Sequence, residues 1–125
     1  MANSDPRSDE TARLMERFNT AFLEHSPEKL DALVADDCII ENTVARPNGD
    51  RYVGKPACVG LWTSIASNQQ ARFEPESIDA YGDRALIFWR FVWGAGPDDS
   101  VRGVNIMRVR DGLIVEALGY VKGPG

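Results

Sequence analysis

The chain has 125 residues, of which 14 are basic and 19 are acidic, so its formal net charge is -5. At roughly 100 to 200 residues per domain, this length predicts a single domain with its own core. Nucleic acids and anionic membranes bind clustered positive charge, so the acidic balance disfavours both as partners. The longest apolar run, residues 85–89, is far shorter than the roughly 20 residues that cross a bilayer.

The ends and the cysteines add a few expectations. Residues 1–7 are polar and predict a disordered tail before a single domain over residues 8–122. The absence of an apolar leader in this tail predicts a cytoplasmic protein. Cys38 and Cys58 are expected to be reduced core thiols, and no cysteine or histidine spacing is typical of a metal site. We therefore expect neither a metal nor another cofactor.

The first half of the chain predicts three helices and a hairpin. Apolar residues recur with helical spacing over residues 8–24, with Asn19 on the opposite, solvent-facing side. Ser26 and Pro27 are typical of a helix start and predict a short second helix. A strand over residues 38–44, a turn and a return strand over residues 51–53 follow. Pro56 then begins the third predicted helix.

After residue 70 the apolar period changes from 3.6 to 2. Strands are predicted over residues 71–80, 85–93 and 100–121, the last folded on itself at Asp111 and Gly112. Helices followed by strands predict an α+β fold in which the helices cover one face of a bent antiparallel sheet.

The strand at residues 85–93 carries large apolar residues at both parities, so both of its faces should be covered. One parity predicts an outer face that is buried against a second subunit in a homodimer, and it contains Trp89, Phe91 and Trp93. The other parity predicts the concave face, and it contains Phe88, Arg90 and Val92.

Three phrases carry a resemblance that extends over nearly the whole chain. They are Ala35-Asp36-Asp37, Val53-Gly54-Lys55 and Arg108-Val109-Arg110-Asp111-Gly112. Together with the predicted order of helices and strands, these phrases resemble the SnoaL-like branch of the nuclear transport factor 2-like superfamily. The resemblance implies a cone, in which the bent sheet wraps round the three helices and opens onto an apolar pocket. Since this fold serves isomerases, cyclases, epoxide hydrolases and binding modules, it does not define the activity.

The resemblance also implies roles for individual positions. Relative to ketosteroid isomerases, Asn42 stands in place of the aspartate base, Phe18 in place of the oxyanion-hole tyrosine and Asn105 in place of its protonated aspartate. The SnoaL-like cyclases also have their aspartate near Asn105. An amide cannot accept the proton, but Asn105 keeps an N–H donor for an oxyanion.

Epoxide hydrolases of the limonene type give a third comparison by resemblance. Arg90 matches their arginine and Asn42 their asparagine. Their two aspartates and their tyrosine are replaced by Val92, Gly119 and Ile40. The carboxylates that would activate water and assist epoxide opening are therefore missing.

Strand parity and helix spacing together predict a pocket with three polar groups, Asn42, Arg90 and Asn105, as the candidate catalytic residues. The predicted apolar lining consists of Phe18, Phe22, Ile40, Leu61, Trp62, Ile65, Phe88, Val92, Met107 and Gly119. A buried arginine needs a partner, which is either a ligand anion or a carboxylate such as Glu41 or Asp79. The two asparagines could equally satisfy one another or Arg90.

The sequence leaves three functions open. The first is binding of a small apolar carbonyl or carboxylate compound, with isomerase, cyclase or lyase chemistry through oxyanion stabilisation. The second is a non-catalytic dimeric binding or interaction module whose pocket is filled by its own side chains. The third is an epoxide-hydrolase-like enzyme with a non-standard site.

Overall fold

The helical segments of the chain precede most of its strands. A computed structural model describes residues 6–44 and 47–122. Its helices are α1 (Pro6–Leu23) and α2 (Lys55–Ala66), and two 3₁₀ turns, Pro27–Lys29 and Asp31–Leu33, lie between them. Its strands are β1 (Val34–Glu41), β2 (Arg51–Val53), β3 (Arg72–Tyr81), β4 (Arg84–Val92), β5 (Ser100–Arg110) and β6 (Leu113–Val121).

The predicted elements differ from the observed ones mainly near the N-terminus. Helix α1 begins at Pro6, so residues 6 and 7 are helical, and residues 1–5 of the predicted tail lie outside the described residues. The second predicted helix takes the form of the two 3₁₀ turns. Strand β1 already begins at Val34, because the fully buried Leu33 and Val34 belong to the core.

The six strands form one curved sheet in the order β2-β1-β6-β5-β4-β3. All neighbours are antiparallel except β1 and β6, which run parallel. Irregularities interrupt the register in β1, β3 and β5, and such bulges bend and twist a strand. Helix α1 packs on β3 and β4 and helix α2 on β1, so one face of the sheet is covered. The predicted α+β fold is thereby confirmed.

Cross-strand register decides which side chains share a face of the sheet. Asn105 lies opposite Ile87 on one side and Gly119 on the other, and all three border the concave, helix-covered face. The even-numbered residues of β4 therefore face outward, and Phe88 lies opposite Val104 on that side. The predicted parity of β4 is wrong.

Trp89 turns inward because its cross-strand neighbour is a glycine. Gly103 lies directly opposite Trp89, and a Cβ atom there would overlap the indole ring and also approach the carbonyl oxygen of Tyr120 at 2.6 Å. The missing side chain lets the indole lie across β5 inside the cone. Among the described residues, no helix is long and apolar enough to span a membrane.

Candidate ligand cavity

The concave side of the sheet and the two α-helices enclose a cavity of about 260 Å³. This volume lies just below the usual range of ligand pockets, roughly 300 to 1,000 Å³. Most of its apolar wall residues come from α1, α2 and the three strands β3 to β5, and they are Phe18, Phe22, Leu61, Trp62, Ile65, Phe73, Ile87, Trp89, Phe91 and Val101. Strands β1 and β6 add Ile40, Ala117 and Val121. A small apolar molecule fits this space better than a drug-sized one.

Aromatic rings form a continuous wall from one helix to the sheet. The ring of Phe18 meets Trp62 edge to face at a centroid distance of 4.8 Å, and it meets Phe22 at 4.9 Å. The chain continues through Phe73, which lies 5.5 Å from Phe22 and 4.8 Å from Trp89. Tilted and edge-to-face pairs at these distances are favourable beyond their area of contact.

Asn105 lines the cavity and has one hydrogen bond to its amide. The indole Nε1–H of Trp89 donates to its Oδ1 atom over 3.2 Å. An indole nitrogen can only donate, so this bond identifies the oxygen of the amide and places its NH₂ group on the other branch. No other hydrogen bond to the Asn105 side chain exists within the described part of the chain. Its two N–H donors are thus available to a ligand.

Asn42 borders the same cavity but holds a loop. Its Oδ1 accepts the N–H of Asp50 at 2.8 Å and that of Val44 at 3.2 Å, and its backbone N–H donates to the Asp50 carbonyl at 3.0 Å. Gly49, at φ 67°, approaches the Asn42 carbonyl so closely that a Cβ atom would clash with it. The amide oxygen of Asn42 is therefore committed to the β1–β2 connection.

Asn19 is a cavity residue that sequence reasoning placed on the solvent side. Only 9% of it is exposed, and it lines the cavity from α1. Together with Met15, Phe18 and Phe22 it follows the spacing i, i+3, i+4, i+7, which is the signal of a buried helical face. The polar side chain concealed that signal.

Arg90 lies on the outer face of the sheet, and its predicted position in the pocket is wrong. Its Nη1 donates to Ser100 Oγ at 2.9 Å, and its Nε lies 3.9 Å from Glu76 Oε2. Glu76 pairs more closely with Arg102, at 2.7 Å. The carboxylate near Arg90 is thus Glu76, and neither Glu41 nor Asp79 takes that place.

Three apolar candidates also lie outside the cavity. Phe88 is 36% exposed on the outer face, where the reversed parity of β4 places it. Val92 shares that parity and is buried outside the main core cluster. Met107 is fully buried, lies opposite Ala85 and Ala117, and belongs to the core without bordering the cavity.

The remaining nine candidates border the cavity: Phe18, Phe22, Ile40, Asn42, Leu61, Trp62, Ile65, Asn105 and Gly119. Their roles in binding stay predictions. The residues of the lining that sequence reasoning missed are Asn19, Glu41, Thr43, Phe73, Ile87, Trp89, Phe91, Val101, Ala117 and Val121. Among the described lining residues Glu41 is the only ionisable one, so no cation faces the cavity from this part of the chain.

The two cysteines are buried and inert. Cys58 Sγ donates to the carbonyl of Cys38 at 3.3 Å, and neither side chain is exposed. Burial raises the pKa of both thiols, so they stay neutral and poorly nucleophilic at neutral pH. Within the described residues, no group of three histidine, cysteine or acidic side chains is placed to hold a metal ion.

The fold and the cavity define a class, the cone-shaped proteins that resemble nuclear transport factor 2. Residues 15–117 match the family described as the SnoaL-like domain. The chain belongs to this family. The predicted resemblance is confirmed.

Solved structures of similar shape come from several bacteria. An NTF2-like protein of unknown function from Mesorhizobium loti is 51% identical, with 97% of this chain and 98% of that chain covered and a TM-score of 0.89. A candidate ketosteroid isomerase from Kribbella flavida is 18% identical (94% and 82% covered, TM-score 0.78). An LEH-like epoxide hydrolase from M. tuberculosis is 23% identical (95% and 83%, TM-score 0.74). The last two show the fold alone. Among curated proteins, no match to the chain was found.

The loop role of Asn42 predicts how its variants unfold. Asn42→Leu should lower the free energy of unfolding by about 1 to 3 kcal/mol, because it leaves the Val44 and Asp50 N–H groups without their acceptor. Asn42→Asp keeps an acceptor and should cost less than half as much. Urea unfolding followed by circular dichroism measures both values. Equal losses in the two variants would contradict the loop role.

Proposed function

We propose that the chain binds a small, neutral, largely apolar carbonyl compound in the cavity, with the carbonyl oxygen accepting hydrogen bonds from the Asn105 amide. The observation that carries this proposal is the hydrogen bond from Trp89 to the Asn105 oxygen, which leaves the amide donors for a guest. The apolar walls would surround the rest of the molecule.

The charge of the lining favours a neutral ligand over the carboxylate that the sequence also allowed. That expectation depended on Arg90, which lies outside the cone. The described lining holds no cation and one acidic residue, Glu41. An anion would lose its hydration without gaining a counter-charge, which costs more free energy than burying a ketone. The proposed ligand is therefore an uncharged carbonyl compound.

A catalytic form of this proposal uses the same donor. An N–H group that is already aimed at a carbonyl oxygen stabilises the negative charge that develops there when a neighbouring C–H bond loses its proton. Isomerases, cyclases and lyases share this enolate-like state. Because Asn105 needs no unusual protonation to donate, it could supply the oxyanion contact while water or buffer accepts the proton.

We also propose that the outer face of the sheet pairs with a second copy of the chain. The face that Trp89 and Phe91 were expected to form is instead composed of Leu86, Phe88, Val104, Ile106, Leu118 and Tyr120, which lie side by side on β4, β5 and β6. Phe88 and Tyr120 are 36% and 54% exposed at its centre. Large exposed apolar patches of this kind are typical of interfaces.

The charged side chains near this face lie at its two ends and leave its centre apolar. At one end Arg102 pairs with Glu76, and at the other Arg108 pairs with Glu116 at 3.4 Å. These two ion pairs form within the chain, and Arg90, whose Nε lies 3.9 Å from Glu76 Oε2, adds one positive charge at the first end. A symmetric dimer buries one such patch against itself, with the same residues on both sides.

Ligand binding is tested with α-tetralone, a bicyclic aromatic ketone, and tetralin, the hydrocarbon that lacks its carbonyl oxygen. Isothermal titration calorimetry should give α-tetralone at least about 3- to 10-fold higher affinity than tetralin, the value of one hydrogen bond. Asn105→Asp should abolish this preference at a pH high enough to ionise the new carboxyl group, because the carboxylate accepts from Trp89 but offers no donor. Its affinity should recover as the pH falls and the carboxyl group gains an O–H.

Asn68→Asp is the matched control, since Asn68 accepts the N–H of Gln70 outside the cavity and tolerates the same change. It should leave the ketone preference intact. A wild-type protein that binds neither molecule, or that binds both equally, would refute the proposed ligand class.

The catalytic form is tested by exchange of the α-protons of α-tetralone in deuterated buffer. At saturating ketone, the wild-type protein should accelerate exchange at least about 10-fold over buffer alone, because Asn105 stabilises the enolate oxygen. Asn105→Asp should remove the acceleration at a pH high enough to ionise the new carboxyl group, as followed by proton NMR. Bound ketone that exchanges no faster than free ketone would restrict the protein to binding.

The dimer is tested with Val104→Lys on the outer face and Val53→Lys on edge strand β2, where Val53 is 64% exposed. Light scattering should show a dimer for the wild type and for Val53→Lys, and a monomer for Val104→Lys, because a buried lysine at the centre lacks a partner. A wild-type monomer at micromolar concentration would contradict the proposal.

A further inference from the structure

Asn19 is a buried polar side chain without a hydrogen-bond partner in the described part of the chain. The other buried polar residue of helix α1, Thr11, donates to the Gly82 carbonyl at 2.6 Å. Thr20, the next residue after Asn19, donates to the Glu16 carbonyl at 2.9 Å. Asn19 therefore differs from its neighbours on the same helix, although its amide has both donor and acceptor capacity.

The amide of Asn19 borders the cavity space. The residue lines the cavity, and no described side-chain nitrogen or oxygen is sealed from solvent without a partner. In the empty protein, water in the cavity can satisfy this amide. An apolar guest that displaced that water would leave the amide unpaired, at a cost in free energy. A guest that fills the cavity must therefore offer Asn19 a polar group of its own.

Asn19 lies on helix α1 and Asn105 on the sheet, and the two amides differ in the hydrogen bonds that they already make within the described residues. Asn105, on the sheet, has two N–H donors without a partner in the described residues, whereas its oxygen already accepts one hydrogen bond from Trp89. Asn19, on α1, can both donate and accept. A carbonyl oxygen matches Asn105, whereas a hydroxyl group, which also donates and accepts, matches Asn19. The two amides together distinguish the two ends of a ligand.

We propose that Asn19 is a second ligand-recognition residue, and that the ligand is a neutral hydroxyketone whose carbonyl oxygen binds Asn105 and whose hydroxyl group binds Asn19. This inference rests on the proposed function and narrows it to a substrate class. It gives a role to Asn19, a polar residue that an apolar cavity would not need for packing. A site built to hydrogen-bond a hydroxyl group discriminates against the analogue that lacks it, because the site is then left unpaired.

The test compares α-tetralone with a panel of its monohydroxy derivatives that carry the hydroxyl group at successive ring positions. Calorimetry of the wild-type protein should find at least one isomer that binds about 3- to 10-fold more tightly than α-tetralone itself. Asn19→Leu, which replaces the amide by an apolar side chain of somewhat larger volume, should remove that preference while α-tetralone still binds. Thr20→Val is the matched control on the same helix and should keep the preference.

A second measurement needs no ligand. If Asn19 serves a guest and not the fold, Asn19→Leu in the empty protein should melt at or above the wild-type temperature, since burying leucine replaces a hydrated amide. A fall of more than about 5 °C in both Asn19→Leu and Asn19→Ala would identify a structural residue and overturn the inference.

The outcomes separate the two proposals. If α-tetralone binds but no hydroxylated isomer binds more tightly, or if Asn19→Leu retains the preference, the hydroxyketone inference is wrong and the carbonyl site stands. If neither ketone nor hydroxyketone binds the wild-type protein, the proposed function fails and the inference fails with it.

Discussion

The hydrogen bond from Trp89 to Asn105 joins the packing of the sheet to the chemistry of the cavity. It requires the indole to lie inside the cone, and Gly103 makes that position available. It fixes the oxygen of the Asn105 amide beside Trp89, and the proposed function uses the N–H groups on the other branch. Phe73 packs on the indole of Trp89 at a centroid distance of 4.8 Å, so the aromatic wall holds the indole N–H group in place beside Asn105. A donor fixed in this way loses little freedom when a ligand binds.

The position of Arg90 changes the chemistry that the cone supports. With its guanidinium outside, next to Ser100 and Glu76, the described lining offers amides and aromatic rings but no positive charge. Under the proposed function, such a lining selects a ligand by shape and hydrogen bonding. The similar cones from Kribbella flavida and M. tuberculosis carry the names of an isomerase and an epoxide hydrolase. Because one scaffold serves different reactions, the side chains of the cavity decide between them.

The sequence was sufficient for the fold but not for every face of its strands. Strand β2 was predicted at its observed bounds, and the 3.6-residue spacing located both α-helices, because each period depends on local geometry alone. The parity of β4 was wrong because apolar residues occupy both of its faces. Knowledge of the β4–β5 register would have given the correct parity, because cross-strand partners share a face of the sheet. In that register Asn105 lies opposite Ile87 and not opposite Phe88. That register depends on the geometry of the loop between β4 and β5. The alternation of apolar and polar residues along a strand does not determine this geometry.

Asn19 shows why one polar residue of the site escaped prediction, although strand parity had placed Asn105 in the pocket. Hydrophobic spacing identifies a buried face by its apolar members, so a single amide on that face is assigned to solvent. Yet an amide suits such a cavity, because it donates and accepts over the whole range in which carboxyl groups change charge. An aspartic acid could donate at the position of Asn105 only if its surroundings kept it protonated. An asparagine at this position keeps its N–H donors at any pH at which the protein stays folded. The hydrogen bond from Trp89 determines which branch of the amide carries the oxygen.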